Sequence, residues 1–289
     1  MQLDLTFSFV NDVAEIFTPS GPQTDKEIRS LYKGQEMAKH YADHRPGYPP
    51  EIFDTIMSYH NEVKSNCHDL AVDVCCGAGQ STLPLIKLFS KVVGVDISED
   101  QIQNLPKDIP NLTAIVGLAE DLSMIESGSV DLVTIATGLH WVNIEKCLQE
   151  IKRVLKPGGT FAAYTWTMDQ FDDPEVNKYY RQVLAIFKEY YSSRLLIGIE
   201  KYQSIIFPFT DLRRYDVTMK VEMTLDQFIG FMQSFHTTKL YYQDHPGTDI
   251  LEEIRARMKS ILTADCKDDN DTMNVTKDYF LVLGRKGEL

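Results

Sequence analysis

Between Asp69 and Trp166 short apolar runs alternate with helix-forming stretches, and that rhythm constrains the fold more than any other feature of the chain. Asp69 to Cys75 is an apolar run with the β-branched Val72; Gly77, Ala78 and Gly79 follow, then STLPLIKLF, which reads as helix. KVVGVDIS (Lys91 to Ser98) is a strand ending in an acid. SEDQIQNL then opens as a helix should, with Ser98 as N-cap and acids in the first turn. LTAIVG (Leu112 to Gly117) and SVDLVTIAT (Ser129 to Thr137) read as strands, the second buried on both sides. The helix NIEKCLQEIKRVLK is stopped by Pro157, Gly158 and Gly159, and TFAAYTW begins another strand. Such alternation predicts a parallel sheet with helices on both faces, and right-handed crossovers then restrict its topology.

The flanks are patterned differently. Residues 1–30 read as an N-terminal arm that the turn-forming PSGPQTD (Pro19 to Asp25) ends. Ser30 to His60 reads as two helices broken at RPGYPP (Arg45 to Pro50). In the last third, Pro174 to Tyr191 is an aromatic-rich helix, Arg213 to Met223 alternates like a strand, and Thr224 with Gln227 forms a capping-box signature. TDILEEIRARMKSIL is an amphipathic helix and Thr272 to Lys286 a last strand, so the two late strands suit a hairpin-like edge on the parallel sheet. The organisation predicted is an arm over 1–30 and one domain over 31–289, with a core at about 66–166 and a cap and sheet edge at about 167–289.

Composition narrows the function classes. The chain has 289 residues, 43% hydrophobic and 25% charged, which is ordinary globular usage. Its net charge of −13 opposes nucleic acid and anionic membranes as partners, although one or two local cations could still hold a small anion. No stretch approaches the roughly 20 apolar residues of a membrane helix, and the start, with Asp4, Asp12 and Glu15, does not resemble a signal peptide. Cys67, Cys75, Cys76, Cys147 and Cys266 form no CxxC pair and have no histidine at zinc spacing. No metal site is expected, and reduced thiols in a cytoplasmic or nuclear setting are. The adjacent Cys75 and Cys76 read as buried, inert thiols, because a bridge between neighbours is strained.

The chemistry is carried by VDVCCGAGQST, Val72 to Thr82. A Gly-x-Gly turn between strand and helix lets a ligand approach the backbone, and the helix N-terminus offers N–H groups to an anion. Asp96 closes the next strand, where a carboxylate can accept from both hydroxyls of a ribose. A dinucleotide loop would want a third glycine where Thr82 stands, which argues against a nicotinamide oxidoreductase.

Asp73-x-x-x-Gly77-x-Gly79, then Asp96, then Ala119-Glu120-Asp121 after the third strand, resemble the class I S-adenosylmethionine-dependent methyltransferases. His140-Trp141 and YADHRPGYP (Tyr41 to Pro49) make the match similar to the small-molecule subgroup that includes the trans-aconitate and cantharidin-resistance methyltransferases. The resemblance covers about residues 36–166. It implies an α/β, seven-stranded sheet in the order 3-2-1-4-5-7-6, with strand 7 antiparallel. The cap would come from the N-terminal arm and the segment between the fifth and sixth strands.

The cofactor implied is S-adenosyl-L-methionine. By the resemblance, Gly77 and Gly79 would face its methionine part, and Asp73 would orient the loop or reach the amino group through water. Asp96 would hold the ribose, Ile97, Ala119 and Glu120 the adenine, and Thr137 would lie beneath the sulfonium. Tyr41 and Arg45 would form part of a lid, Arg45 pairing with a carboxylate or forming a surface salt bridge. The family usually has glycine where Cys75 stands. His140 and Trp141 are the catalytic candidates, and Trp166 and His236 the substrate-binding ones. Tyr241 and Tyr242 are weaker candidates, Arg213 and Arg214 form a possible carboxylate patch or a solvated edge, and Tyr179, Tyr180, Tyr190 and Tyr191 read as packing.

The expected function is methyl transfer to a small molecule, first a carboxylate oxygen. An amine, thiol or hydroxyl acceptor and a non-catalytic cofactor-binding module are the alternatives.

Overall fold

The computed structural model describes residues 34–45, 47–64, 67–262 and 272–287, together with Gly21, Thr24 and Glu27. The rest of the N-terminal arm, Cys266 and the acidic run CKDDND lie outside the described residues, as does the side chain of Tyr41. Two helices, α1 (Gln35–His44) and α2 (Pro50–Lys64), precede the sheet. Then come β1 (Leu70–Val74), α3 (Thr82–Leu85), β2 (Lys91–Asp96), α4 (Glu99–Gln103), β3 (Leu112–Val116), β4 (Val130–Ala136), α5 (Ile144–Val154) and β5 (Leu155–Trp166). The remainder is β6 (Gln170–Phe171), α6 (Pro174–Ile186), α7 (Arg194–Ile199), β7 (Thr210–Thr224), α8 (Leu225–Gln233), α9 (His236–Asp244), α10 (Ile250–Leu262) and β8 (Thr272–Arg285).

Among the described residues the sheet has eight strands. The order β3-β2-β1-β4-β5-β8 runs across it, with β7 on the far side of β8. β1 to β5 pair in parallel, and β8 is antiparallel to β5 and to β7. Counting only the long strands, this is the expected 3-2-1-4-5-7-6; the two-residue β6 pairs with β8 beyond the end of β5. β1 and β4 read as continuous apolar runs because both faces are covered. Val72, Val74, Val133 and Ile135 join the Leu148 and Ile151 side of α5, while Ala71 and Leu132 meet Ile52, Ile56 and Tyr59 of α2.

Three local expectations change. STLPLIKLF forms only the four-residue α3, after which the Leu88 and Phe89 amides both converge on the Leu85 carbonyl and the helix tightens to a close. α5 ends at Val154, before Pro157, because the Pro-Gly-Gly segment is taken into the sheet edge. There Leu155 pairs with Val130, and Gly158 and Gly159 exchange backbone hydrogen bonds with Lys286. The aromatic helix α6 stops at Ile186 and continues as a 3-10 turn over Lys188–Tyr190.

The cap is also larger than expected. Besides the N-terminal helix and the β5–β7 segment, it takes α8 and α9, which lie between the last two strands. The capping box is present, with the Thr224 and Gln227 side chains satisfying each other's amides. α8 lies so close to α1 that a Cβ on Gly230 would collide with the His44 ring.

Candidate active site

The loop after β1 is shaped by positive φ at Cys75 (58°), Gly77 (53°) and Gly79 (99°). A Cβ on Gly79 would stand 2.5 Å from Leu105 Cδ2. The Cys76 amide donates to the Val95 carbonyl, tying the loop to β2. The Asp96 carboxylate is held by two backbone amides: Gly77 N–H donates to Oδ2 at 2.9 Å and Ser98 N–H to Oδ1 at 2.8 Å. Burial raises its pKa and these donors oppose the rise. Ser98 caps α4 as expected.

Asp73 lies wholly buried beneath the loop and does not line a cavity. It accepts from Thr82 Oγ1 (2.6 Å), Thr134 Oγ1 (2.7 Å) and Ser81 Oγ (3.2 Å), and burial pushes its pKa up to about 6. Its hydrogen bonds run to Ser81 and Thr82 of the loop and to Thr134 of β4.

Above the loop opens a cavity enclosing about 890 Å3 out to its mouth. Cys75, Gly77, Thr137 and Gly138 form its floor, and Asp96, Ile97, Ala119 and Glu120 its sides. Ile97, 40% exposed, presents an apolar surface there. Glu120 Oε1 accepts from the Asn143 amide at 2.8 Å, which joins the segment after β3 to the N-cap of α5. Thr137 has φ +53° and shares a 2.7 Å hydrogen bond with the Tyr48 hydroxyl.

Cys75 occupies a left-handed position that glycine would fill without strain. Its Cβ is accommodated because residue 138 is glycine: a Cβ there would lie 2.5 Å from that of Cys75. Burial raises the Cys75 and Cys76 thiols well above their ordinary value, so neither is a nucleophile at neutral pH. Gln101 also lines this cavity. Its buried Oε1 accepts no hydrogen bond among the described residues.

A carboxylate fixed by two backbone amides, an apolar shelf and an unsatisfied amide oxygen suit a nucleoside with an attached amino acid. They fit the expected cofactor.

A second cavity, about 820 Å3 out to its mouth, shares Arg45, Thr137 and Trp141 with the first. Arg45 is held against the cap among the described residues. Its Nε donates to Ser234 Oγ at 3.0 Å, and its guanidinium lies 4.8 Å from the Phe235 ring centroid, 5.4 Å from that of Trp166 and 5.5 Å from that of Phe231. His140 is buried, its Nδ1 3.3 Å from the Tyr202 hydroxyl, and the edge of His236 meets Trp141 with centroids 5.4 Å apart. Burial pushes both histidines down to about 3, helped by His236 and Arg194 at His140 and by Arg45 at His236. Both are neutral at pH 7.

The structure therefore brings His140, Trp141, Trp166, His236 and Arg45 around one chamber that opens on Thr137. Tyr180 and Tyr191, expected as packing, line it too. Tyr241 and Tyr242 do not: Tyr241 stacks on His245 and Tyr242 donates to Asp249. Arg213 makes a bidentate pair with Glu62 at 2.8 Å and Arg214 donates to the Lys201 and Tyr202 carbonyls, both outside the chamber. Sequence reasoning missed Gln101, Asp169 and Lys277. Lys277 left a signal: it falls in the inward row of β8, between Val275 and Tyr279, where a lysine must find a partner.

Comparisons agree with this geometry. The family described as "Methyltransferase domain" matches residues 72–163. CRG1 of Saccharomyces cerevisiae, assigned as an S-adenosylmethionine-dependent methyltransferase, is 29% identical over 294 residues, covering 89% of this chain and 98% of its own. A Dictyostelium discoideum protein assigned as a methyltransferase is 28% identical over 256 residues, covering 86% and 93%. A solved structure from Anaeromyxobacter dehalogenans, assigned as a type II methyltransferase, superposes with a TM-score of 0.68 at 27% identity, covering 85% of this chain and 99% of that one. The sheet order, the cradle and these matches define an enzyme that transfers methyl groups. In fold, cradle and sequence the chain is similar to the class I S-adenosylmethionine-dependent methyltransferases, and S-adenosyl-L-methionine is its cofactor.

Proposed function

We propose that the protein methylates a carboxylate oxygen of a small, largely apolar acid bound in the second cavity. The observation that carries this reading is the chemistry of the passage between the two cavities. Arg45, Thr137 and Trp141 line both, so an acceptor reaching the cofactor passes beside a guanidinium. The histidines there are held down to about 3, which makes them weak bases toward an ammonium or hydroxyl group near neutral pH. A carboxylate is already ionised and needs no base.

The cofactor supplies a methyl group activated by the positive sulfur. The chain's contribution is positioning and dryness. Asp96 holds the ribose, the loop glycines face the methionine part, Arg45 orients the acceptor carboxylate, and the aromatic walls exclude water that would solvate it. The remaining parts of this reading are that neither nucleic acid nor a membrane is a partner and that the cytoplasm is the setting. The high-pKa, un-ionised thiols of Cys75 and Cys76 suit a reducing compartment. Among the described residues no helix is long and apolar enough to cross a membrane.

The test is a panel of carboxylic acids, phenols, amines and thiols, with products identified by mass spectrometry. Methyl esters are expected, and Arg45→Met should raise KM for the acid about tenfold or more while S-adenosylhomocysteine affinity moves less than about threefold. Methylation confined to amines or thiols would sink the reading.

A further inference from the structure

The acceptor chamber holds a charged pair that the methyl-transfer reading leaves unused. Asp169, three residues past the end of β5 in the turn to β6, is 4% exposed and Lys277 of β8 is 1% exposed. Lys277 Nζ lies 2.6 Å from Asp169 Oδ2 and 4.6 Å from the centroid of the Phe231 ring, the ring that Arg45 also faces. Asp169 lines the chamber, and its other oxygen, Oδ1, is buried and accepts no hydrogen bond among the described residues.

A buried ion pair is weak evidence of stabilisation, because apolar residues of similar size often serve the fold as well. A carboxylate oxygen left without a donor in such a place costs further stability. At the wall of a chamber that opens to a ligand, a donor on the ligand would remove that cost.

Resting on the carboxylate-acceptor reading, we propose that Asp169, locked by Lys277, recognises a hydroxyl group on the substrate away from the acid that is methylated. The chemistry selects the donor. An ammonium group would meet Arg45 in the chamber and the charge of Lys277 behind Asp169, and a second carboxylate has no proton to give at neutral pH. A neutral hydroxyl donates to Oδ1 and leaves the Lys277 pair undisturbed. Tyr180, Leu184, Tyr191, Leu195 and Ile199 then surround an aromatic or branched hydrocarbon body. The substrate class is a hydroxylated, mainly apolar monocarboxylic acid, with its carboxylate toward Arg45 and its hydroxyl toward Asp169.

The experiment uses matched pairs of phenylalkanoic and branched aliphatic acids, each with and without a hydroxyl at successive positions. Binding is measured by calorimetry on the full chain loaded with S-adenosylhomocysteine, and kcat/KM on the same acids with S-adenosylmethionine. At least one hydroxylated member should bind about tenfold or more tighter than its deoxy partner, the scale of a hydrogen bond to a buried charge. In Asp169→Leu/Lys277→Met, which replaces the pair by apolar groups of similar volume, that preference should fall to within about threefold while S-adenosylhomocysteine still binds. If the double variant does not fold, Asp169→Asn serves, with the preference expected to shrink in the same direction. Equal or weaker binding of every hydroxylated member by the wild-type protein overturns the inference, and so does a preference that survives in a folded variant. If binding follows the hydroxyl but no methyl ester forms, the carboxylate-acceptor reading fails and the role of Asp169 stands.

Discussion

The two cavities that meet at Thr137 are built in opposite ways. The cofactor cradle is made from contiguous turns at the carboxyl ends of β1, β2, β3 and β4, and its key contacts are backbone ones: the Gly77 and Ser98 amides fix Asp96, and positive φ shapes the loop. The acceptor chamber is made from side chains of β5, α6, α7, α8 and α9 and of the segments that follow α1, β4 and β5, and most of its polar groups are buried: two neutral histidines and Asp169, which Lys277 backs, beside a half-buried arginine among aromatic rings. Groups common to every bound cofactor can be met by a fixed backbone. Groups that distinguish one acceptor from another have to be met by exchangeable side chains.

The largest expected effect breaks the cradle alone. Asp96→Ala should weaken S-adenosylhomocysteine binding by about 100-fold, since it removes a charged acceptor that the Gly77 and Ser98 amides hold in place. Calorimetry reads this, and a loss of less than about threefold would mean that the nucleoside is held elsewhere.

Acid titration of stability separates the two regions by sign. His140 and His236 sit near 3 when folded and near 6.5 when unfolded, so the stability they contribute is complete above 6.5 and is lost as pH falls toward 3. Asp73 behaves oppositely. Its folded value of about 6 exceeds its unfolded one, so its contribution is complete below about 3.8 and is lost as pH rises toward 6. The two histidines outweigh the one aspartate, and the urea midpoint should fall on acidification from 6.5 to 4, with a loss of unfolding free energy on the order of a few kcal/mol. Asp73→Asn should steepen that fall, and His140→Gln with His236→Gln should flatten it. A midpoint independent of pH in all three proteins would contradict the buried, neutral state of the chamber's histidines.

The smallest effect is expected at the departure from the family pattern. Cys75→Gly relieves a left-handed residue but removes a side chain packed against Gly138, so stability should change by less than about 1 kcal/mol and cofactor affinity by less than about threefold. A tenfold gain in affinity would show that the thiol obstructs the cradle.

Much of the fold and most of the cradle could be read from the chain because both are local. Hydrophobic period, the Ser98 cap, the Gly-x-Gly turn and the acid ending β2 each depend on a few neighbouring residues. Where local signals competed, the reading was less sound: STLPLIKLF has helical spacing, yet only Thr82–Leu85 is helical before the turns that lead back to β2. The chamber was partly legible, through His140, Trp141, Trp166 and His236. Its depth was not, because Tyr180 and Tyr191 have the spacing of ordinary helix packing and nothing near Asp169 in sequence names its partner.

The sequence by itself determined the parallel sheet and the glycine loop after its first strand, because strand–helix alternation and backbone conformation are set within short windows; the strand order came with the resemblance that the motifs carry. Only the tertiary structure decided that α8 closes over α1, that Arg45 rests on Trp166, Phe231 and Phe235, and that Lys277 meets Asp169 across the sheet edge. The physical reason is that burial and pairing of those groups depend on which surfaces the packed cap brings together, and side chains far apart in sequence carry no local mark of that meeting.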